Sequence, residues 1–319
     1  MSGEPLSHAP EAPISEGEPG RDTARVMRIA YHVGLHCTDE DQLIRSLEQN
    51  TRWMRRRRGV VLARGNGYRR AIRDAIIELK GAEAPPEVEA MLLDEALGEH
   101  EGDRLLLSFD NFLCGPAKIL GEGRLYPEGH ERVAWLRRLF PSAECEFYFA
   151  IRDLASFLPA AWKLQKPPVS FAEFLGGADP LALRWSEMIA RIREANPDVP
   201  LTVWCNEDTP LIWPTVLREY ADVSPLDHMK GEFDVIEKIM RPEGFAKMCD
   251  YLEKHPPVSE VQRRRIMAAF LDKFAIDEEL EEEIDIPGWT PELVETLSEL
   301  YEEDVYAIER IPGVTLIGP

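Results

Sequence analysis

Three loops that follow apolar runs hold the residues best suited to chemistry. The run 26–35 (VMRIAYHVGL) leads into His36, Cys37 and Thr38, then Asp39, Glu40 and Asp41. The run 104–109 (RLLLSF) leads into Asp110, and the run 144–151 (ECEFYFAI) into Arg152 and Asp153. A strand–loop–helix of the first kind offers backbone N–H groups to an anion and lowers the pKa of a thiol placed there. Here three carboxylates crowd the same turn. Two unit charges ~4 Å apart interact by ~1 kcal/mol in water and ~4 kcal/mol at an effective dielectric of ~20. Two such carboxylates therefore oppose most of what the helix start gives a bound anion or a Cys37 thiolate. The same residues are suited to satisfying the helix themselves. Thr38 is expected as its N-cap, with Asp39, Glu40 and Asp41 in the first turn facing the N–H groups.

These loops need elements to hold them. Spacing through Leu43, Ile44, Leu47 and Met54 predicts a helix over 39–57. RWMRRRR (52–58) ends it, with cations suited to the C-terminal dipole before Gly59. GVVLA (59–63) reads as a short strand, and helices are expected near 67–79, near 86–98 and up to Phe140. Further helices are expected from Asp153 to Lys166 and at 181–195, then a buried strand VPLTVW (199–204). From Pro210 to Phe274 the pattern is helical, with breaks at Pro242 and at Pro256-Pro257. A last helix over 290–310 precedes a strand at 314–317. Strand alternating with helix predicts an α/β chain in three layers, a central, mostly parallel sheet with helices on both faces. Ligands in such sheets bind beyond the carboxyl ends of the strands. Residues 1–25, rich in Pro, Glu, Gly and Ser, read as a disordered leader. Residues 26–319 read as one domain, with 277–289 an acidic linker.

The segment HVGLHCTDEDQLIRSLEQN (32–50) resembles the donor loop of bacterial sulfotransferase-like proteins. There an apolar-Gly-apolar-His strand end meets Lys-Thr-Gly-Thr-Thr and a helix. The resemblance implies a P-loop-type fold and transfer of sulfonate from 3′-phosphoadenosine-5′-phosphosulfate (PAPS) to a hydroxyl of a small molecule or glycan. Gly34, His36 and Thr38 match the loop that would hold the 5′-phosphosulfate. Cys37 stands where its Lys is expected, and Asp39, Glu40 and Asp41 replace Gly-Thr-Thr. RLLLSFDNF (104–112) is similar to the family's strand ending in an acidic residue, which makes Asp110 the implied catalytic base. Asp110 is equally suited to capping the next turn with Asn111. FYFAIRDLASFLPAAW (147–162) resembles the second donor signature, an Arg at a strand end and a Ser eight residues on, both holding the 3′-phosphate. Arg152 fits, while Ala160 lacks the hydroxyl. Arg152 and Asp153 also suit a structural ion pair. Glu207 and Asp208 after the 199–204 run, and Tyr301, Asp304 and Val305 near the end, extend the likeness over residues 26 to 319. Two functions follow: a sulfotransferase with an impaired donor site, or a non-catalytic binding or scaffold protein that keeps the fold.

A net charge of −21 disfavours nucleic acid and anionic membrane as partners. Residues 277–304 alone carry thirteen acidic side chains and no Lys or Arg, the pattern of a solvated face and linker. No apolar run reaches the ~18 residues of a membrane span. Five scattered cysteines without CxxC spacing imply reduced thiols and a cytoplasmic location. Seven histidines without metal-ligand spacing imply no metal site.

Overall fold

A computed structural model describes residues 26–224, 227–280, 286 and 288–319. The expected leader, 1–25, lies outside them. Six strands form the central sheet: β1 (Arg28–His32), β2 (Val60–Leu62), β3 (Arg104–Ser108), then β6 (Glu144–Ile151), β7 (Leu201–Cys205) and β8 (Val314–Ile317). A small antiparallel pair, β4 (Leu120–Gly121) and β5 (Arg124–Leu125), stands apart. The sheet order is β2-β3-β1-β6-β7-β8, and every pairing in it is parallel. From β1 the chain goes to the edge strand β2, steps back to β3 beside β1, and then crosses to the other side of β1 at β6. The carboxyl end of β1 is therefore the point where the order reverses, where sheets of this kind leave a crevice.

Two helical layers cover the sheet, because its strands are apolar on both faces. One layer holds α1 (Gln42–Glu48), α2 (Thr51–Arg58) and α9 (Thr209–Ala221), against the face of Ala30, Leu106, Ala150 and Trp204. The other holds α3 (Gly67–Leu79), α4 (Pro86–Leu97), α5 (Gly129–Arg138), α6 (Leu154–Lys163), α8 (Trp185–Ala195) and α14 (Pro291–Glu309). It packs on Ile29, Tyr31, Leu107, Phe147 and Val203, with the Tyr31 and Phe147 rings stacked at 4.9 Å. Burying a Leu, Ile or Phe side chain contributes ~1.5–3 kcal/mol, so this two-sided core dominates the fold's stability. The remaining helices are α7 (Phe171–Leu175), α10 (Asp234–Lys238), α11 (Pro242–Lys254), α12 (Glu260–Phe274) and α13 (Asp277–Leu280). Helices α10 to α12 enclose a core of their own around Ile236, Met240, Met248 and Met267.

Three expectations change. The helix over 39–57 is two helices, parted at Asn50, whose amide exchanges hydrogen bonds with the backbone of Lys230 (2.8 and 2.9 Å). The strand over 26–35 is assigned only to 28–32, although ladder bonding to β6 continues through Leu35 N–H to Ala150 O (3.0 Å). Of the expected acidic linker, 281–285 and 287 lie outside the described residues, and two of the others are buried. Ile286 and Trp289 are buried, and the Trp289 indole N–H donates to Ala155 O at 2.9 Å. The Arg-rich end of α2 is as expected. Gly59, at φ 63°, donates its N–H to Met54 O and Arg55 O, a left-handed stop that favours glycine.

Candidate functional site

The carboxyl ends of β1, β3 and β6 bring Gly34, His36, Cys37, Thr38, Asp110 and Arg152 to one mouth. Gly34 (φ 91°) lies against Asp110, where an added Cβ would meet the Asp110 Cα at 3.3 Å. That close approach and the positive φ both call for glycine. His36, fully buried, stacks on Tyr126 and shares a 2.8 Å hydrogen bond between Nδ1 and the phenol. Its Nε2 reaches Asn111 Oδ1 at 3.4 Å, and Asn111 Nδ2 donates to Asp110 Oδ1 at 2.6 Å. One consistent assignment of protons runs along the row. Tyr126 donates to His36 Nδ1, His36 Nε2–H to Asn111, and Asn111 to Asp110. Burial holds the His36 imidazole below the usual histidine value, against the pull of the Asp110 charge and the Asn111 hydrogen bond. His32 is lowered too, chiefly by burial, with Nδ1 on Ser108 Oγ at 2.8 Å and its ring stacked on Trp204. Both histidines are thus neutral at physiological pH. Asp110 itself is exposed and lies with Asn111 in the turn that follows β3.

The loop after β1 is organised differently from its expected form. Thr38 does not cap α1; its Oγ1 donates to Leu35 O at 2.6 Å. None of the acidic residues lies in the first turn of α1. Cys37, Glu40 and Asp41 have φ of 60°, 47° and 65°, a left-handed path that postpones the helix to Gln42. The cap comes from outside. Asp39 Oδ2 accepts Leu43 N–H at 2.9 Å, Oδ1 accepts Asp41 N–H at 3.3 Å, and Asp39 O accepts Gln42 N–H at 2.7 Å. Asp41 forms an ion pair with Arg69 at 2.6 Å. An ammonium does reach this helix start, from Lys238 on α10, and it donates to Gln42 Oε1 at 2.5 Å.

Arg152 directly follows β6 and turns to the same loop. Its Nη1 donates to Cys37 O at 2.7 Å and its Nε to Ser156 Oγ at 2.9 Å. A hydroxyl partner is therefore present, four residues on rather than eight. Asp153 accepts Ala155 N–H at 2.8 Å as N-cap of α6 and Ser298 Oγ–H at 2.5 Å. Neighbouring Glu207 accepts Asp153 N–H (2.8 Å) and Tyr301 O–H (2.9 Å). Asp304, from α14, accepts the N–H groups of Trp185 and Ser186 at the start of α8 (2.6 and 3.1 Å). Glu207, Tyr301 and Asp304 are thus structural ties.

No protein-family model and no curated protein matches the chain. Its site must be read from its own geometry.

A phosphosulfate does not fit the loop as it stands. The amides that would receive it are held by the Asp39 carboxylate, and α1 has seven residues, too few for a strong terminal field. Among the described residues no group of three His, Cys, Asp or Glu side chains converges to hold a metal ion. None of their helices is long and apolar enough to cross a membrane. All five cysteines are described, and none is in a disulfide. A cavity of about 660 Å³ lies beside Arg28, Glu144 and Pro200, at the amino ends of the strands and away from this mouth. Sequence reasoning missed Tyr126, Ser156 and Arg69, and it read Asn111 only as a turn partner of Asp110. Of the three missed residues only Ser156 falls within a segment it had singled out, 147–162.

Proposed function

We propose that this chain is a sulfotransferase-like protein whose donor loop is closed by its own Asp39, and that it acts as a non-catalytic binding module. The observation that carries this reading is the Asp39 carboxylate on the N–H groups of Asp41 and Leu43. A bound dianion would have to displace that carboxylate and then sit beside it, with Glu40 and Asp41 close by. Arg152, the one matching cation, donates to Cys37 O and Ser156 Oγ instead. Calorimetry with 3′-phosphoadenosine-5′-phosphate tests the reading. No binding tighter than about 1 mM, or ~4 kcal/mol, is expected at physiological salt. Micromolar binding would overturn it.

A second reading, sulfonate transfer, is favoured by one observation: Asp110, His36 and Arg152 meet at a single mouth. Under it Asp110 takes the acceptor hydroxyl's proton. Transfer of labelled sulfonate from PAPS that disappears in Asp110→Asn would establish it.

A further inference from the structure

A second cavity, of about 450 Å³, opens between α3, the loop after β3 and the start of α5. Its size is within the range of small-molecule sites. The floor is apolar and well packed, formed by Ile72, Ile76 and Phe112. Three arginines, Arg69, Arg73 and Arg132, border it, and its lining contains no carboxylate. In a chain with 58 acidic and 37 basic side chains, a pocket whose charged residues are all cationic runs against the composition.

The arginines are pre-positioned. Arg69 Nε donates to Ser108 O at 2.9 Å, and its guanidinium lies 5.2 Å from the centre of the Phe109 ring. Arg132 lies 4.7 Å over the Trp135 ring. Each has a carboxylate partner outside the pocket, Arg69 with Asp41, Arg73 with Asp74 (2.9 Å) and Arg132 with Glu128 (3.7 Å). A guanidinium carries five N–H donors, so such pairing leaves donors for a second anion. Burial pushes the Cys114 thiol on the pocket wall up to about 12, so that wall offers no thiolate nucleophile at neutral pH.

We infer that this pocket binds an organic acid, an apolar body of aryl or medium-chain size with its anionic group toward the arginines. The inference stands on the pocket alone, whichever way the donor loop behaves. Asn111 lines the pocket and also bonds Asp110 and His36, so the ligand would lie beside the mouth described above.

The test uses two dyes of similar shape, anionic 1-anilinonaphthalene-8-sulfonate and neutral N-phenyl-1-naphthylamine, titrated into the full chain. The anion is expected to bind at least about tenfold tighter, as a charge-assisted hydrogen bond implies, and to be displaced by decanoate. Arg73→Glu and Ile77→Glu alter exposed rim positions, so the fold survives, which a thermal melt checks. Each should weaken the anion by about tenfold or more. The inference is overturned if neither dye binds the native chain. It is also overturned if the neutral dye binds as tightly, or if the folded Arg73→Glu variant binds the anion unchanged.

Discussion

Two strand-to-helix turns lie side by side at the carboxyl edge of the sheet, and they are built in opposite ways. The turn from β6 to α6 is short and regular. Asp153, two residues past the strand, caps the helix through Ala155 N–H and accepts a hydroxyl from α14, with no residue at positive φ. The loop from β1 to α1 is longer and irregular. Three non-glycine residues take left-handed conformations, and the capping carboxylate reaches in from outside the helix. Left-handed backbone costs ~1–2 kcal/mol per residue with a Cβ. The first turn is optimised for stability; the second carries local conformations that stability alone does not select. Such departures concentrate where a loop has, or once had, another task.

The sharpest way to break this comparison is Asp153→Ala. It removes a helix cap and the Ser298 hydrogen bond together, and a loss of about 2 kcal/mol is expected in denaturant unfolding. A loss below about 0.5 kcal/mol would mean that the regular turn is not the stabilising one.

Acid should then single out the irregular side, because His32 and His36 are both buried with lowered pKa values. In the unfolded chain they take up protons near their ordinary value of 6.5, while the folded chain resists. The unfolded state thus binds more protons below that pH, and stability must fall as the pH falls through it. The expected slope is up to ~1.4 kcal/mol per pH unit for each histidine. His36→Asn should reduce the slope measured between about pH 6.5 and 5. An unchanged slope would remove His36 from the account.

The smallest expected effect has the opposite sign. Glu40 is exposed at φ 47°, and its backbone O accepts from Arg45, a contact that glycine keeps. Glu40→Gly should therefore stabilise the chain by about 0.5 kcal/mol, the strain relieved exceeding the added chain entropy. A destabilised variant would show that the loop's left-handed path is not a source of strain.

Much of the fold was legible because buried parallel strands read as continuous apolar runs. Residues 104–108, 144–151 and 314–317 appear as strands where their composition places them. The β1–α1 loop was less legible. Thr38 is a good cap by residue type, yet the cap comes from Asp39, because the left-handed residues turn the chain before the helix begins. The break at Asn50 was invisible because the apolar spacing continues through it, and its cause is a contact with Lys230, 180 residues away. The His36–Tyr126 pairing spans 90 residues and carries no local signal. Arg152 was readable in place, at a strand end facing the loop, while its hydroxyl partner was sought at Ala160 and stands at Ser156.

The Asp304 cap on α8 also has a consequence for how the chain is made. Its carboxylate meets Trp185 N–H, 119 residues earlier in the chain. At ~5–20 residues per second, translation needs roughly 6–24 s to supply it. Throughout that interval the nascent α8 lacks its cap, and β7 lacks the strand β8 that closes its outer edge. Open edges of this kind are sites of mispairing. The chain therefore passes through a defined window of synthesis in which β7 is exposed, and folding yields depend on how quickly residues 291–317 emerge and dock.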